Sequence, residues 1–117
     1  MAEYRLGEIE MKFAEIIWNN EPIASGELAK ICLEELNWKR TTTYTVLKRL
    51  CDKGIFQNEK GIVTSLVSKQ DFQAKQSGEF VEEAFAGSLP NFVAAFVSQK
   101  KLSKKEIEQL KKIIEEC

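Results

Sequence analysis

The sequence contains no histidine, and only two prolines and three cysteines among its 117 residues. Histidine is the side chain most often used as a general base and as a metal ligand near neutral pH. Cys32, Cys51 and Cys117 form no CxxC pair, and their odd number argues against a disulfide framework. The sequence therefore predicts a protein that is not an enzyme and that holds no cofactor and no metal.

Long apolar runs are also missing from the sequence. None approaches the roughly 20 apolar residues that a membrane-spanning helix needs, and the first residues are acidic and polar, unlike a secretory signal. We therefore expect a cytoplasmic protein without direct membrane insertion. Hydrophobic residues make up 44% and charged residues 30% of the chain, a balance typical of a folded globular protein.

Charge is strongly segregated along the chain, although the formal net charge is only −1. Residues 1–37 carry three basic and eight acidic side chains, whereas residues 38–60 carry six basic and two acidic ones, a net of +4. Residues 61–117 carry eight of each. Binding to nucleic-acid phosphates requires such a concentration of positive charge, although a window of this length can also reach it by chance.

Three helices are predicted before the first change of pattern. Apolar residues recur at helical spacing over residues 7–19 and 25–37, and we expect Ser25 to cap the second helix. A third helix over residues 40–53 is closed by Gly54, which suits the left-handed position after a helix.

Residues 55–67 are rich in β-branched side chains and contain a polar turn with a glycine, which predicts a short hairpin. Further helices are predicted over residues 68–85, from residue 89 and, with a full capping box, from Ser103. The predicted fold class is mainly α with a small β-hairpin.

Three helices followed by a hairpin are the order of a winged helix-turn-helix, in which the second helix of the motif enters the major groove of DNA. The predicted domains are a winged-helix DNA-binding domain, residues 1–67, and a C-terminal helical arm, residues 68–117.

The third predicted helix has one apolar face, which we expect to pack, and one face of hydrogen-bonding groups. Hydroxyl and methyl groups on that polar face can contact base edges, and its cations can bind phosphates or guanine. The candidate DNA-binding residues are Lys39, Arg40, Thr41, Thr42, Tyr44, Thr45, Lys48 and Arg49, with Lys60 in the wing. The alternative is an ordinary solvated face, since threonines are common there and late basic residues complement the helix dipole.

Several separated motifs resemble those of the penicillinase repressor family, the MecI/BlaI/CopY group of bacterial transcriptional repressors. The resemblance covers nearly the whole chain. The matching segments are residues 6–10, 17–18, the run WKRTTTYTVLKRL at 38–50, 53–54, 66–68, 85–89, 92–97 and 102–103.

This resemblance implies a homodimer that binds a palindromic operator in double-stranded DNA through two winged helices. It places Thr42, Thr45 and Arg49 in the recognition helix and assigns dimerisation to the C-terminal helices. The expected dimerisation residues are Phe80, Phe85, Leu89, Phe92, Val93, Phe96, Val97, Leu110 and Ile114.

In the antibiotic-resistance branch of the family, a membrane sensor pathway and its protease inactivate the repressor by cutting the C-terminal arm. Carried over to this sequence, the bond would be Ala95–Phe96. Apolar residues around that bond are also what a dimer helix needs, and both interpretations can hold because the cut would destroy dimer affinity. The paired CxC motifs of copper-responsive members are absent, which leaves Cys117 as an incidental thiol.

The alternative function is a protein-interaction module that kept the fold but lost DNA binding. It is motivated by the acidic first two helices and by a wing with a single basic residue. Fold alone does not decide between the two functions.

Overall fold

The computed structural model describes residues 5–117, so the first four residues of the predicted domain 1–67 lie outside it. The chain forms two compact units that divide between Ser77 and Gly78. Six helices and one three-stranded antiparallel sheet make up the described residues, which confirms the predicted fold class. Over residues 5–117, no helix is both long enough and apolar enough to cross a membrane.

All six predicted helices are present, and the predicted hairpin gains a third strand. In chain order the elements are α1 Glu8–Asn20, β1 Ile23–Ala24, α2 Ser25–Leu36, α3 Arg40–Asp52, β2 Phe56–Glu59, β3 Ile62–Ser65, α4 Lys69–Phe85, α5 Leu89–Gln99 and α6 Lys104–Glu115.

The start of α2 differs from the prediction. Ser25 was expected to cap this helix, but it is the first helical residue; Ala24 occupies the cap position, without a side-chain hydrogen bond. The preceding residues Ile23 and Ala24 instead pair with Val63 and Ile62 as an extra strand. The Ser25 N–H donates to the Gly61 carbonyl at 2.8 Å. The cap prediction was therefore wrong, because the chain passes directly from a strand into the helix.

The wing is a tight hairpin in a sheet of order β1-β3-β2. Glu59 pairs with Ile62, and Lys60 and Gly61 form the two-residue turn with φ of 51° and 82°. Positive φ at both central residues is what a type I′ turn requires, and glycine adopts it without steric cost.

The core of the first unit is built around side chains from α1, α2, α3 and the sheet, and it includes Phe72 from α4. Trp18 joins these parts: its ring lies 5.4 Å from that of Phe56 and 5.5 Å from that of Phe72. Its indole N–H donates to the Val67 carbonyl at 3.0 Å. The start of α4 thus packs with the first unit, while the predicted boundary between residues 67 and 68 stays a prediction.

The second unit, residues 78–117, contains no buried side chain. The rings of Phe80, Phe85 and Phe92 lie 5.5–6.1 Å from one another in edge-to-face arrangements. The predicted capping box of α6 is confirmed: Glu106 N–H donates to the Ser103 hydroxyl at 3.1 Å, and Ser103 N–H donates to the Glu106 carboxylate at 3.0 Å. This unit has well-formed helices but no closed core.

Two leucines of α2 test the packing of the first unit. Leu28 is fully buried and Leu33 is 56% exposed, so their replacement by alanine should have very different effects. Leu28→Ala should lower the free energy of unfolding by about 2–5 kcal/mol, because it removes buried methyl groups and leaves a cavity. The matched variant Leu33→Ala should change it by no more than about 0.5 kcal/mol. Urea denaturation measures both, and equal losses would contradict this packing.

Candidate nucleic-acid interface

The rotation of α3 in the first unit is set by its apolar face. Thr43 and Leu50 are fully buried, and Val46 and Leu47 are 7% and 2% exposed. The predicted packing face is therefore confirmed. On the opposite side the helix presents a continuous polar surface, because positions one turn apart share a face.

The turn before α3 gives the helix-turn-helix its geometry. Asn37 ends α2 in the left-handed conformation, with φ of 56° and ψ of 37°. Asparagine tolerates this region better than most residues. The ring of Trp38 lies 5.3 Å from that of Phe13 on α1, so the turn is attached to the core and the start of α3 is fixed.

Nearly all predicted DNA-binding residues lie together on α3 or at its N-terminal cap, Lys39. Tyr44 is half-buried, whereas Lys39, Arg40, Thr41, Thr42, Thr45, Lys48 and Arg49 are exposed. Lys60 is separate in sequence and lies in the turn of the wing.

Ser25 connects the wing turn to α3 and was missed in the sequence as a residue of this surface. Its backbone N–H donates a hydrogen bond to the Gly61 carbonyl, and its hydroxyl accepts one from the Tyr44 hydroxyl at 3.5 Å. Arg40 in turn donates to the Tyr44 oxygen at 3.2 Å, and its guanidinium carbon lies 5.5 Å from the centre of the Tyr44 ring. These contacts hold Arg40 over the aromatic face, where its remaining donors stay exposed.

Thr45 uses its hydroxyl proton within α3. Its hydroxyl donates to the Thr41 carbonyl at 2.9 Å, one turn earlier in the helix. The hydroxyl proton is therefore engaged with the backbone. Towards a base, Thr45 presents an acceptor oxygen and a methyl group, which suit a donor group or a thymine methyl.

Lys48 and Arg49 both contact carboxylates, but in different settings. Lys48 lies 3.4 Å from Asp52, and the side chains are 78% and 69% exposed. Such an exposed pair contributes only about 0–1 kcal/mol, so Lys48 can exchange its partner for a phosphate. Arg49 instead pairs across helices with Glu10 of α1 at 3.0 Å.

Glu10 was also missed in the sequence, since no local pattern links it to a residue 39 positions later. One carboxylate oxygen accepts from Arg49, and the other accepts from the Gly7 N–H at 3.3 Å. Burial alone would raise the pKa of Glu10, but the hydrogen bonds from Arg49 and Gly7 and the charge of Lys53 hold this pKa below its ordinary value. The carboxylate is therefore ionised at neutral pH.

The cysteines show no sign of a reactive centre. Burial raises the pKa of the Cys32 and Cys51 thiols, so both stay protonated near neutral pH. Cys117 is exposed at the end of the chain. Within the part of the chain that the structure describes, no three His, Cys, Asp or Glu side chains are grouped to hold a metal ion.

Comparison with known proteins gives matches along nearly the whole chain. The penicillinase repressor family matches residues 6–116. The methicillin resistance regulatory protein MecI of Staphylococcus aureus (strain Mu50 / ATCC 700699) is 28% identical over 115 residues, which cover 95% of this chain and 94% of that protein.

Two proteins named penicillinase repressor are similar to a comparable extent. The one from Bacillus licheniformis is 27% identical over 116 residues, covering 96% of this chain and 91% of that protein. The one from Staphylococcus aureus is 24% identical over 116 residues, covering 92% of each chain. With the family match, these full-length similarities show that the chain belongs to the penicillinase repressor family, whose members are regulators and not enzymes.

Proposed function

We propose that this chain is a cytoplasmic, dimeric transcriptional repressor that binds a palindromic operator in double-stranded DNA through α3. The observation that carries the proposal is the division of α3 into a buried apolar face and an exposed face of hydroxyls and cations. That face lies in residues 38–60, which carry a net charge of +4. Relatives that match nearly the whole chain are named as a methicillin resistance regulatory protein and as a penicillinase repressor.

The residues of α3 divide into two roles. Lys39, Arg40, Lys48 and Arg49 carry the charge that binds phosphates and sets the position of the helix. Thr41, Thr42 and Thr45 present small polar and methyl groups that contact base edges in the major groove. Lys60 adds a phosphate contact from the wing, and Tyr44 acts by supporting Arg40.

Dimerisation through the second unit is supported by its exposed apolar residues. Phe80, Leu89 and Phe96 are 52%, 59% and 47% exposed, and α6 adds Leu110 and Ile114 at 42% and 71%. Helices with apolar faces and no buried residue gain stability by burying those faces. A second copy supplies the same faces, as a two-fold interface requires. The remaining residues of the proposed contact are Phe85, Phe92, Val93 and Val97.

Control by proteolysis fits the same segment. The Ala95–Phe96 bond lies in the exposed middle of α5, where the Ala95 carbonyl accepts from the Ser98 hydroxyl at 2.7 Å. Because the bond is helical, this turn must open before a protease can bind it. Cutting it would release Phe96 and all of α6 from the arm, and a membrane sensor pathway with its protease would supply the cut.

Binding to duplex DNA should weaken steeply with salt, because several phosphates replace condensed counterions. We expect the affinity to fall about tenfold or more between 50 and 200 mM salt. Fluorescence anisotropy with labelled duplexes measures this dependence. Undetectable or salt-independent affinity for every duplex of a random pool would contradict DNA binding and favour the protein-interaction module. In that case the amide signals of residues 41–49 would not shift when DNA is added.

Substitutions on α3 should separate base contacts from phosphate contacts. Thr42→Ala and Thr45→Ala should each reduce the preference at particular bases by about 1 kcal/mol per position. Lys48→Ala should weaken binding to all sequences and reduce the salt slope by about 1. Lys12→Ala, which removes an exposed lysine of α1, is the matched control and should leave the slope unchanged. Base preferences that survive both threonine changes would show that these threonines do not contact bases.

A further inference from the structure

The contact between Glu10 and Arg49 joins α1 to the last turn of α3. Arg49 Nη1 lies 3.0 Å from Glu10 Oε2, and the side chain of Glu10 is 18% exposed while that of Arg49 is 53% exposed. One end of the pair is therefore fixed in the protein and the other faces solvent. A second hydrogen bond lies nearby, in which Lys53 Nζ donates to the Arg5 carbonyl at 3.4 Å.

A carboxylate at this place is unfavourable for DNA binding unless it has a specific role. An acidic group beside a recognition helix repels phosphates. A partly buried ion pair is also a weak source of stability, because desolvation of the charges offsets much of their attraction. Glu10 does stabilise the start of α1, where it accepts from the Gly7 N–H as part of a capping box, but that role uses only one carboxylate oxygen and does not account for the contact with Arg49.

The geometry at Arg49 indicates what Glu10 does. A guanidinium has five N–H donors in a planar fork, and Glu10 accepts from the Nη1 side. The guanidinium N–H groups that Glu10 does not use are on an exposed side chain and can bind a phosphate at the same time. A free arginine side chain loses rotamer freedom when it binds a phosphate, whereas one already held by a carboxylate has lost much of it beforehand.

We propose that Glu10 is a positioning residue for DNA binding: it holds the Arg49 guanidinium at the end of α3 so that its exposed N–H groups meet an operator phosphate. The inference rests on the proposed function and deepens it. Glu10 itself does not contact DNA in this arrangement. The Gly7 N–H, which binds the second carboxylate oxygen, fixes the orientation of the carboxylate in turn.

The direction of the effect of Glu10→Gln separates positioning from simple electrostatics. Removal of a negative charge near DNA should by itself tighten binding. Glutamine, however, carries no charge and keeps only one acceptor oxygen for both Arg49 and the Gly7 N–H, so the weaker hold on the guanidinium should weaken binding. We expect Glu10→Gln to weaken affinity for a bound duplex about three- to tenfold, the size of one lost hydrogen bond. The salt slope should fall by up to about 0.9, which corresponds to one phosphate contact.

Glu8→Gln is the matched control, because it makes the same charge change at an exposed position on the same helix. It should leave affinity unchanged or slightly tighter. In an Arg49→Ala background, Glu10→Gln should cause no further weakening, since no guanidinium remains to be held. Circular dichroism checks the folding of each variant. If Glu10→Gln does not fold, Glu10→Asp, which withdraws the carboxylate by one methylene, takes its place with the same expected weakening.

Unchanged or tighter binding by the Glu10 variant would overturn the proposal, and so would equal weakening with and without Arg49. Either result leaves DNA binding by the wild-type chain intact. If the wild-type chain binds no duplex, the proposed function itself fails, and the role of Glu10 fails with it.

Discussion

The burial of one face of α3 is the constraint on which the rest of the first unit depends. Leu47 and Leu50 on that face are almost completely buried, and each contributes about 1.5–3 kcal/mol relative to an exposed side chain. Rotation of the helix by one residue would expose them and bury Lys48 or Arg49 instead, at a high desolvation cost. The outward direction of the polar face is therefore a consequence of core packing, and so is its availability to DNA.

The two units differ in how much apolar surface they bury within one chain. The first closes a core of its own, with Trp18 and Phe72 joining the start of α4 to it. Residues 78–117 contain well-capped helices but bury no side chain within one chain. The proposed second copy would provide that burial, so DNA affinity and chain association become linked. A change in the arm, such as the proposed cut in α5, would then alter operator occupancy without touching α3.

Much of this arrangement could be predicted from the sequence, because it is encoded locally. Helical periodicity defined the packing face of α3, and the Ser103 capping box marked the start of α6. The strand β1 could not be predicted, since two residues show no alternation. The Glu10–Arg49 contact could not be predicted either, because it depends on how α1 and α3 pack. The DNA-binding and dimerisation residues stay predictions that the geometry supports.

Selection of bound duplexes from a random pool by the purified chain tests the central claim most directly. A dimer that places two α3 helices in the major groove should enrich a consensus of two inverted half-sites. Their centres should lie about 10 base pairs apart, one helical turn, or a multiple of that spacing. Absence of any enriched sequence would contradict DNA recognition by α3, and enrichment of a single, unrepeated half-site would contradict the dimer.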